Sequence, residues 1–273
     1  MSRWRRFWGI LFLFPIALCC MGQKGEETPD FSAISNESQR KQAFFCYIAP
    51  KVEEVNARVS AQRKRLEKIR AQQAQGEAVG ESGQRFVKKM AADYKVKASS
   101  VDSSVVDELL GRVDGVPVSL ALAQAANESA WGTSRFARDG HNYFGQWCYE
   151  KNCGLVPRKR PKGATYEVRK FEDTEQSVAA FVHNLNTNRT YALFRSLRSK
   201  GREKGKGASG LAVAEGLKNY SARGSDYVKT LRVMIRTDDL EVFETRSGME
   251  KVCRVQGAAA SQQDGAQGRA SKG

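Results

Sequence analysis

Glu128 is the residue of this chain whose setting best suits acid catalysis. It lies near the end of a stretch that begins at Pro117 and closes at Gly132. Proline suits the first turn of a helix, and glycine readily adopts the left-handed conformation of a helix end, so this stretch is predicted to be one helix. Small and apolar residues recur at helical spacing and form its buried face: Val118, Leu122, Ala125 and Ser129.

Glu128 is expected on the edge of that buried face, with Ala121 and Gln124 beside it and Trp131 after it. A carboxyl group that is partly removed from water keeps its proton more readily, and a general acid working near neutral pH needs this property. The alternative is a glutamate at a helix end in an ordinary salt bridge. The residue and its spacing alone leave both interpretations open.

Five stretches, in their order along the chain, resemble the glucosaminidase family of peptidoglycan hydrolases. In that family a helix ending in Glu-Ser-x-Trp-Gly carries the catalytic acid, and Asn-x-Phe-Gly follows it. The later stretches resemble the Bax-like branch of the family, which is found in Gram-negative bacteria. The resemblance extends over residues 38–240 and is carried by residues 121–132 (ALAQAANESAWG), 142–145 (NYFG), 166–171 (YEVRKF), 177–191 (SVAAFVHNLNTNRTY) and 217–224 (LKNYSARG).

The resemblance implies a site built around Glu128 as general acid. Glu167 matches the position of a second carboxylate, and Tyr220 matches a tyrosine near the acid. Of the aromatic residues, Phe144 suits the core as well as the cleft, whereas Trp147 is better placed to contact a sugar ring. The substrate-binding residues implied are Gln124, Asn142, Phe144, Trp147 and Tyr191.

The second catalytic group is less defined than the first. Glycoside hydrolysis normally uses two carboxylates, or one carboxylate and an arrangement that replaces the other. Glu167 lies on a predicted strand, where a cross-strand ion pair is the alternative role. The remaining acidic residues in this part of the chain have structural explanations as helix caps, turn residues or loop residues: Asp139, Glu150, Glu172, Asp173 and Glu175.

The first 22 residues have the layout of a secretory signal peptide, with a basic start, an apolar run and small or soft residues at the end. The alternatives are an uncleaved N-terminal anchor, or a lipid anchor on Cys19 or Cys20. Either way, the expected location is the periplasm or cell envelope of a Gram-negative bacterium. The membrane is expected to meet the protein only through this segment.

Export places the remaining cysteines in an oxidising compartment, where disulfides persist. Cys148 and Cys153 bracket a short turn-like insert and are predicted to form a small disulfide loop, with two free thiols as the alternative. The pairing of Cys46 and Cys253 stays open. With only His141 and His183 in the chain, neither a Cys/His peptidase nor a zinc site is supported, and we expect no metal and no cofactor.

The formal net charge of +15 raises the question of nucleic-acid binding. The lysines and arginines are spread along the chain without a nucleic-acid-binding motif, and the densest runs (residues 157–162 and 200–206) fall in predicted loops. We therefore expect no nucleic-acid partner. An exported basic protein is better suited to meet the anionic cell-wall polymer.

The predicted fold is mainly α: a helical domain like that of the lysozyme superfamily, with a small β-hairpin lobe between residues 148 and 171. The predicted layout is a signal peptide (1–22), a mobile linker (23–37), an N-terminal helical extension (38–97), the catalytic domain (98–245) and a disordered tail (246–273). Further predicted helices cover residues 85–95, 105–110, 173–185, 190–199, 209–218 and 225–236.

These observations predict an exported peptidoglycan hydrolase of the endo-β-N-acetylglucosaminidase type, monomeric and specific for the glycan strand. Two alternatives stay open. A lytic transglycosylase also uses a helix glutamate but leaves an anhydro sugar. A non-catalytic protein that binds the cell wall could have kept the same fold.

Overall fold

A computed structural model describes residues 28–205 and 207–254 of the 273-residue chain. The predicted signal peptide and the final part of the predicted tail lie outside these residues. Within them, no helix is both long and apolar enough to span a bilayer. The helices are α1 (Glu37–Ala74), α2 (Glu81–Asp93), α3 (Ser103–Arg112), α4 (Val118–Ser129), α5 (Arg135–Gly140), α6 (Thr174–Thr187), α7 (Ala192–Glu203), α8 (Gly210–Val213) and α9 (Ser225–Thr237), and the 3₁₀ turns are Phe31–Ala33, Arg189–Tyr191, Ala214–Leu217 and Leu240–Glu244.

The central element is α4, which is buried on all sides from Val118 to Ala126. It packs against α1, α9 and the turn Leu240–Glu244. Small residues make this possible, because the alanines of α4 let the surrounding helices approach closely. The helix that carries Glu128 therefore lies inside the domain rather than on its surface.

Helix α1 is the long support of the domain. Asn36 caps its start by accepting a hydrogen bond from the Gln39 backbone N–H, and the helix continues through Pro50 without ending. Its apolar face packs against α3, α4 and α6, and the buried residues of α1 belong to the same core as those of α4. The expected N-terminal extension thus shares one core with the catalytic segment.

Both ends of α4 are fixed by contacts that the sequence did not indicate. At its start, the Glu244 carboxylate accepts hydrogen bonds from the backbone N–H groups of Val118 and Ser119, at 3.0 Å each. At its end, Ala130 is the left-handed cap, and Trp131 also has a positive φ, before Gly132 is reached. The helix therefore ends at Ser129 and not, as predicted, at Gly132.

The β lobe is a three-stranded antiparallel sheet rather than the predicted hairpin. Its strands are β1 (Trp147–Cys148), β2 (Gly154–Leu155) and β3 (Glu167–Arg169), in the order β1-β3-β2. Trp147 pairs with Val168, and Gly154 pairs with Arg169. A hairpin was expected because a single alternating segment, residues 165–171, gave the only clear strand pattern. The short β1 and β2 are too brief to show periodicity.

Two terminal segments are more ordered than expected. In the predicted linker, Phe31 is buried and packs edge-on against Phe44, with ring centroids 5.4 Å apart. In the predicted tail, residues 246–254 are helical and Cys253 forms a disulfide with Cys46 of α1. Its composition alone predicts disorder, but the disulfide holds this polar segment against α1. Residues 255–273 lie outside the described part of the chain.

The architecture is mainly helical, with one small antiparallel sheet, as in lysozyme-like domains. The predicted helices occur in the predicted order, but α5 (Arg135–Gly140) and the helical residues 246–254 were not predicted. The limits shift most in two helices: α2 begins at Glu81 instead of residue 85, after an extended Gly80, and α7 ends at Glu203 instead of residue 199.

Candidate active site

Glu128 lies in the last turn of α4 and is half-buried. The Asn127 amide donates a hydrogen bond to Glu128 Oε1 at 3.0 Å, which orients the carboxyl group. The other oxygen, Oε2, faces Gly145, and a Cβ atom built on that glycine would lie 3.4 Å from it. One oxygen is thus held by a neighbour, and the other faces the loop at the start of the β lobe.

Asn142 builds the turn that brings Gly145 to this position. Its amide donates to the carbonyls of Gln146 and Arg169, and its carbonyl oxygen accepts from the backbone N–H groups of Phe144 and Gln146. Its side chain is buried and its hydrogen-bonding capacity is used within the protein. The predicted role of Asn142 in binding substrate is therefore corrected: it shapes the turn.

A cluster of tyrosines surrounds the Glu128 carboxyl. The rings of Tyr220 and Tyr227 are stacked, with centroids 5.7 Å apart, and Tyr191 lies 5.9 Å from Tyr220. Burial and the nearby Glu128 carboxylate raise the pKa of all three phenols, and burial is the larger cause. These hydroxyls therefore stay protonated at neutral pH.

Tyr220 also connects this cluster to the turn. Its hydroxyl donates to the Phe144 carbonyl oxygen at 2.7 Å, one residue before Gly145. Tyr220 therefore lies where the resemblance implied, near the acid. The observed contact fixes the backbone opposite Glu128.

Gln124 is completely buried one turn before Glu128. Its amide donates to the Tyr227 hydroxyl at 3.0 Å, while its carbonyl oxygen has no protein partner. The predicted contact with substrate does not fit a side chain without exposed surface. Its observed role is to position Tyr227.

The two predicted aromatic contacts differ in location. Phe144 is 1% exposed and stacks on Phe181 with centroids 4.0 Å apart, so it belongs to the core and its predicted role in the cleft is wrong. Trp147 is 54% exposed and stacks on Tyr166 with centroids 4.3 Å apart. This pair presents a flat apolar surface on the β lobe, of the kind on which sugar rings pack.

Glu167 is placed differently from the expected second carboxylate. It is 6% exposed, and its two oxygens accept hydrogen bonds from the backbone N–H groups of Asn152 (3.2 Å) and Gly154 (2.8 Å). These residues flank Cys153, which forms the disulfide with Cys148. In the described structure the carboxylate is engaged in holding the disulfide loop, so the role of a base facing the substrate is corrected to a structural one.

Cys148, Cys153 and Glu167 also form the one trio of potential metal ligands within the described residues, with ligand atoms within 4.8 Å of one another. The sulfur atoms are joined to each other and the carboxylate accepts two N–H groups. A metal ion requires free thiolates, so this trio in its oxidised form does not offer a suitable ligand set.

Three residues of the site were missed by sequence reasoning: Asn127, Gly145 and Tyr227. Tyr227 follows the apolar spacing of α9 and resembles an ordinary core residue. Gly145 was part of a motif, but its closeness to Glu128 depends on the turn formed by Asn142. The one signal that pointed to Asn127 was its position next to the acid, which is not specific.

Two comparisons with known proteins give a match. Residues 108–240 match the glucosaminidase family, described as mannosyl-glycoprotein endo-beta-N-acetylglucosaminidase. The chain is 34% identical over 212 residues to protein Bax of Escherichia coli (strain K12), and the match covers 77% of this chain and 74% of that protein. No solved structure gives a significant match.

The glucosaminidase match supports a glycosidase-type enzyme. The chain belongs to the glucosaminidase family, in its Bax-like branch.

Proposed function

We propose that this protein is an exported peptidoglycan hydrolase that cleaves a glycosidic bond of the glycan strand, with Glu128 as general acid. The observation that carries the proposal is the half-buried Glu128 carboxyl at the end of a rigid buried helix, with one oxygen oriented by Asn127 and the other facing the turn at Gly145. The family supports the substrate class. The endo-β-N-acetylglucosaminidase type is the bond specificity that we propose.

In this reaction the Glu128 carboxylic acid donates its proton to the glycosidic oxygen while the bond from that oxygen to the anomeric carbon breaks. The sugar then carries positive charge until water attacks the anomeric carbon, and the water proton returns to a base. Tyr220 and Tyr227 keep their protons at neutral pH and provide polar, uncharged surroundings for the acid.

The engagement of Glu167 with the disulfide loop favours a second candidate, a lytic transglycosylase. That reaction needs only one carboxylate, because a hydroxyl group of the same sugar attacks the anomeric carbon and an anhydro sugar results. A hydrolase in which the substrate N-acetyl oxygen attacks first would use one carboxylate as well. The products distinguish hydrolysis from transglycosylation, because only hydrolysis leaves a reducing end.

The test is digestion of purified peptidoglycan with residues 23–254, followed by mass spectrometry of the products. We expect new reducing ends on N-acetylglucosamine; anhydro products would instead establish the transglycosylase. Glu128→Gln should lower the rate by about 10²–10⁴-fold. Glu167→Gln is the comparison. Because Glu167 holds the disulfide loop, its substitution should lower the stability of the protein more than the rate of the chemical step.

Near wild-type turnover by Glu128→Gln would contradict the assignment of the acid. Binding of peptidoglycan without cleavage by the wild-type protein would support the non-catalytic alternative. Export is proposed from the N-terminal 22 residues, and fractionation of cells that express the full chain tests it.

A further inference from the structure

A cavity that the proposed chemistry does not use lies between the end of α2, α3 and the end of α6. It has a volume of about 530 Å³ and is lined by Lys95, Lys97, Glu108, Arg112, Thr187, Asn188 and Arg189. We refer to it as the basic cavity. Four of its seven residues are cationic and one is anionic.

The charges of the basic cavity are only partly compensated. Glu108 pairs with Arg112 at 2.8 Å, and the Arg112 guanidinium also donates to two backbone carbonyls. Among the described residues, the side chains of Lys95, Lys97 and Arg189 have no hydrogen-bonding or ion-pair partner. Three cations thus surround one cavity without a counter-ion from the protein, which favours an anionic ligand.

Hydrogen bonds fix the backbone on both sides of the basic cavity. Val96 is buried between Lys95 and Lys97, and its N–H donates to the Ala91 carbonyl at 2.8 Å, which fixes this segment at the end of α2. On the opposite side, Asn188 caps the turn Arg189–Tyr191 by accepting from the Thr190 N–H at 3.0 Å. Both sides are anchored before a ligand binds.

The basic cavity is also close to the candidate active site along the chain. Arg189 belongs to the cavity, and Tyr191, two residues later, belongs to the tyrosine cluster beside Glu128. Two residues span at most about 7 Å. A peptide of four residues spans up to about 14 Å.

We propose that the basic cavity binds a carboxylate group of the peptide stem that the peptidoglycan strand carries. The inference rests on the proposed function, because that function brings a peptide-bearing glycan to Glu128. Binding of the stem would position the strand for cleavage and give a preference for strands that still carry peptides. The chemistry is ion pairing by three cations that extend into water, so the interaction should weaken with added salt.

The test compares three proteins on two substrates. The cavity variant is Lys95→Asn/Lys97→Ala/Arg189→Ala, in which asparagine is chosen because residue 95 has a φ of 56°. The control variant, Lys64→Ala/Lys68→Ala/Lys88→Ala, removes the same charge from exposed positions on α1 and α2. The substrates are intact peptidoglycan and glycan strands stripped of peptides by an amidase.

We expect the wild type and the control variant to cleave intact peptidoglycan with a roughly tenfold higher kcat/KM than stripped strands. The cavity variant should lose this preference and equal the wild type on stripped strands. Arg189→Lys, which keeps the charge, should retain the preference, and the single variant Arg189→Ala should reduce it if the triple variant folds poorly. An unchanged preference in the cavity variant, or an equal loss on both substrates, would overturn the proposal.

A binding measurement separates this proposal from the proposed function. The inactive Glu128→Gln protein is titrated with the free peptide stem and, separately, with inorganic phosphate. Stem binding that the cavity variant lacks supports the inference even if the wild type proves not to cleave peptidoglycan. Binding of phosphate without binding of the stem would overturn it in favour of a phosphate-bearing ligand.

Discussion

Glu128 owes its surroundings to backbone positions as much as to side chains. Gly145 has a φ of 63° and leaves room at the Glu128 Oε2 atom, where any side chain would be in contact with the carboxyl group. In the proposed reaction, this space is where the glycosidic oxygen approaches to receive the proton. Gly145, which leaves room for the substrate, is therefore expected to be as important for catalysis as the residues that bind the substrate.

Gly145→Ala should impair catalysis beyond its effect on stability. Alanine in the left-handed region costs about 1 kcal/mol or slightly more, and the new methyl group would contact Glu128. We expect kcat/KM to fall roughly tenfold or more, since small displacements of reacting groups have large effects. The measurement is turnover of peptidoglycan together with urea unfolding.

Gly163→Ala is the matched control, because Gly163 has a φ of 86° and open space around it. It should show the same loss in the free energy of unfolding with normal turnover. Equal activity in the two variants would mean that Gly145 has no role in the site.

The buried phenol of Tyr227 makes stability depend on alkaline pH. Burial raises its pKa in the folded protein above the ordinary value of about 10, with a further contribution from Glu128. Below pH 10 the folded and unfolded forms are both protonated. Above it only the unfolded form ionises, so stability is lost as the pH rises, by about 1.4 kcal/mol per pH unit for such a group.

This dependence can be measured by urea unfolding at about pH 9 and about pH 11. The decrease between these values should be smaller in Tyr227→Phe than in the wild type. Tyr149→Phe, at a position 72% exposed, should leave the decrease unchanged. If Tyr227→Phe shows the full wild-type decrease, other groups account for the alkaline sensitivity.

At the scale of elements, α4 is positioned from the C-terminal side of the domain. The Glu244 carboxylate caps its first turn and also accepts from the Ser119 hydroxyl. A carboxylate at a helix N-terminus satisfies free N–H groups and interacts favourably with the helix dipole. The turn Leu240–Glu244 therefore fixes the start of the helix that ends with Glu128.

Glu244→Ala should destabilise the protein by about 1–3 kcal/mol, because backbone donors of α4 lose their partner. The enzymatic activity should fall together with the stability, because the position of Glu128 becomes less defined. Glu241→Ala, in the same turn but at an exposed position, is expected to change neither. Thermal unfolding and turnover of both variants check this, and equal melting temperatures would exclude the capping role.

On the scale of the whole molecule, the Cys46–Cys253 disulfide joins the two ends of the described chain. Its cysteines are separated by 207 residues, and it fastens the helical residues 246–254 to α1. Cys148–Cys153, with a separation of 5, affects only the loop that Glu167 holds. The two disulfides therefore act on different scales.

Cys46→Ser/Cys253→Ser should lower the free energy of unfolding by about 4–5 kcal/mol, because a long loop in the unfolded chain is released. Cys148→Ser/Cys153→Ser should cost less, about 2 kcal/mol, since the loop it closes is short. Urea unfolding under non-reducing conditions measures both. A larger loss from the short disulfide would reverse this ranking.

Much of the fold could be predicted because it depends on local patterns. Apolar spacing located most of the helices, Pro117 marked the start of the central helix, and the short spacing of Cys148 and Cys153 indicated their pairing. Such patterns report which face of an element is buried. These patterns depend on residues that are close together in the sequence and not on contacts with distant parts of the chain.

The sequence by itself determined the mainly helical class, the order of the elements and the half-buried place of Glu128 at a helix end. Only the tertiary structure decided that Asn142 and Phe144 are interior, that Glu167 holds a loop and that Tyr227 lies beside the acid. These outcomes depend on which buried polar atoms find each other across large sequence separations, such as Gln124 with Tyr227 or Tyr220 with Phe144. A buried polar group requires a partner, but periodicity does not specify which one.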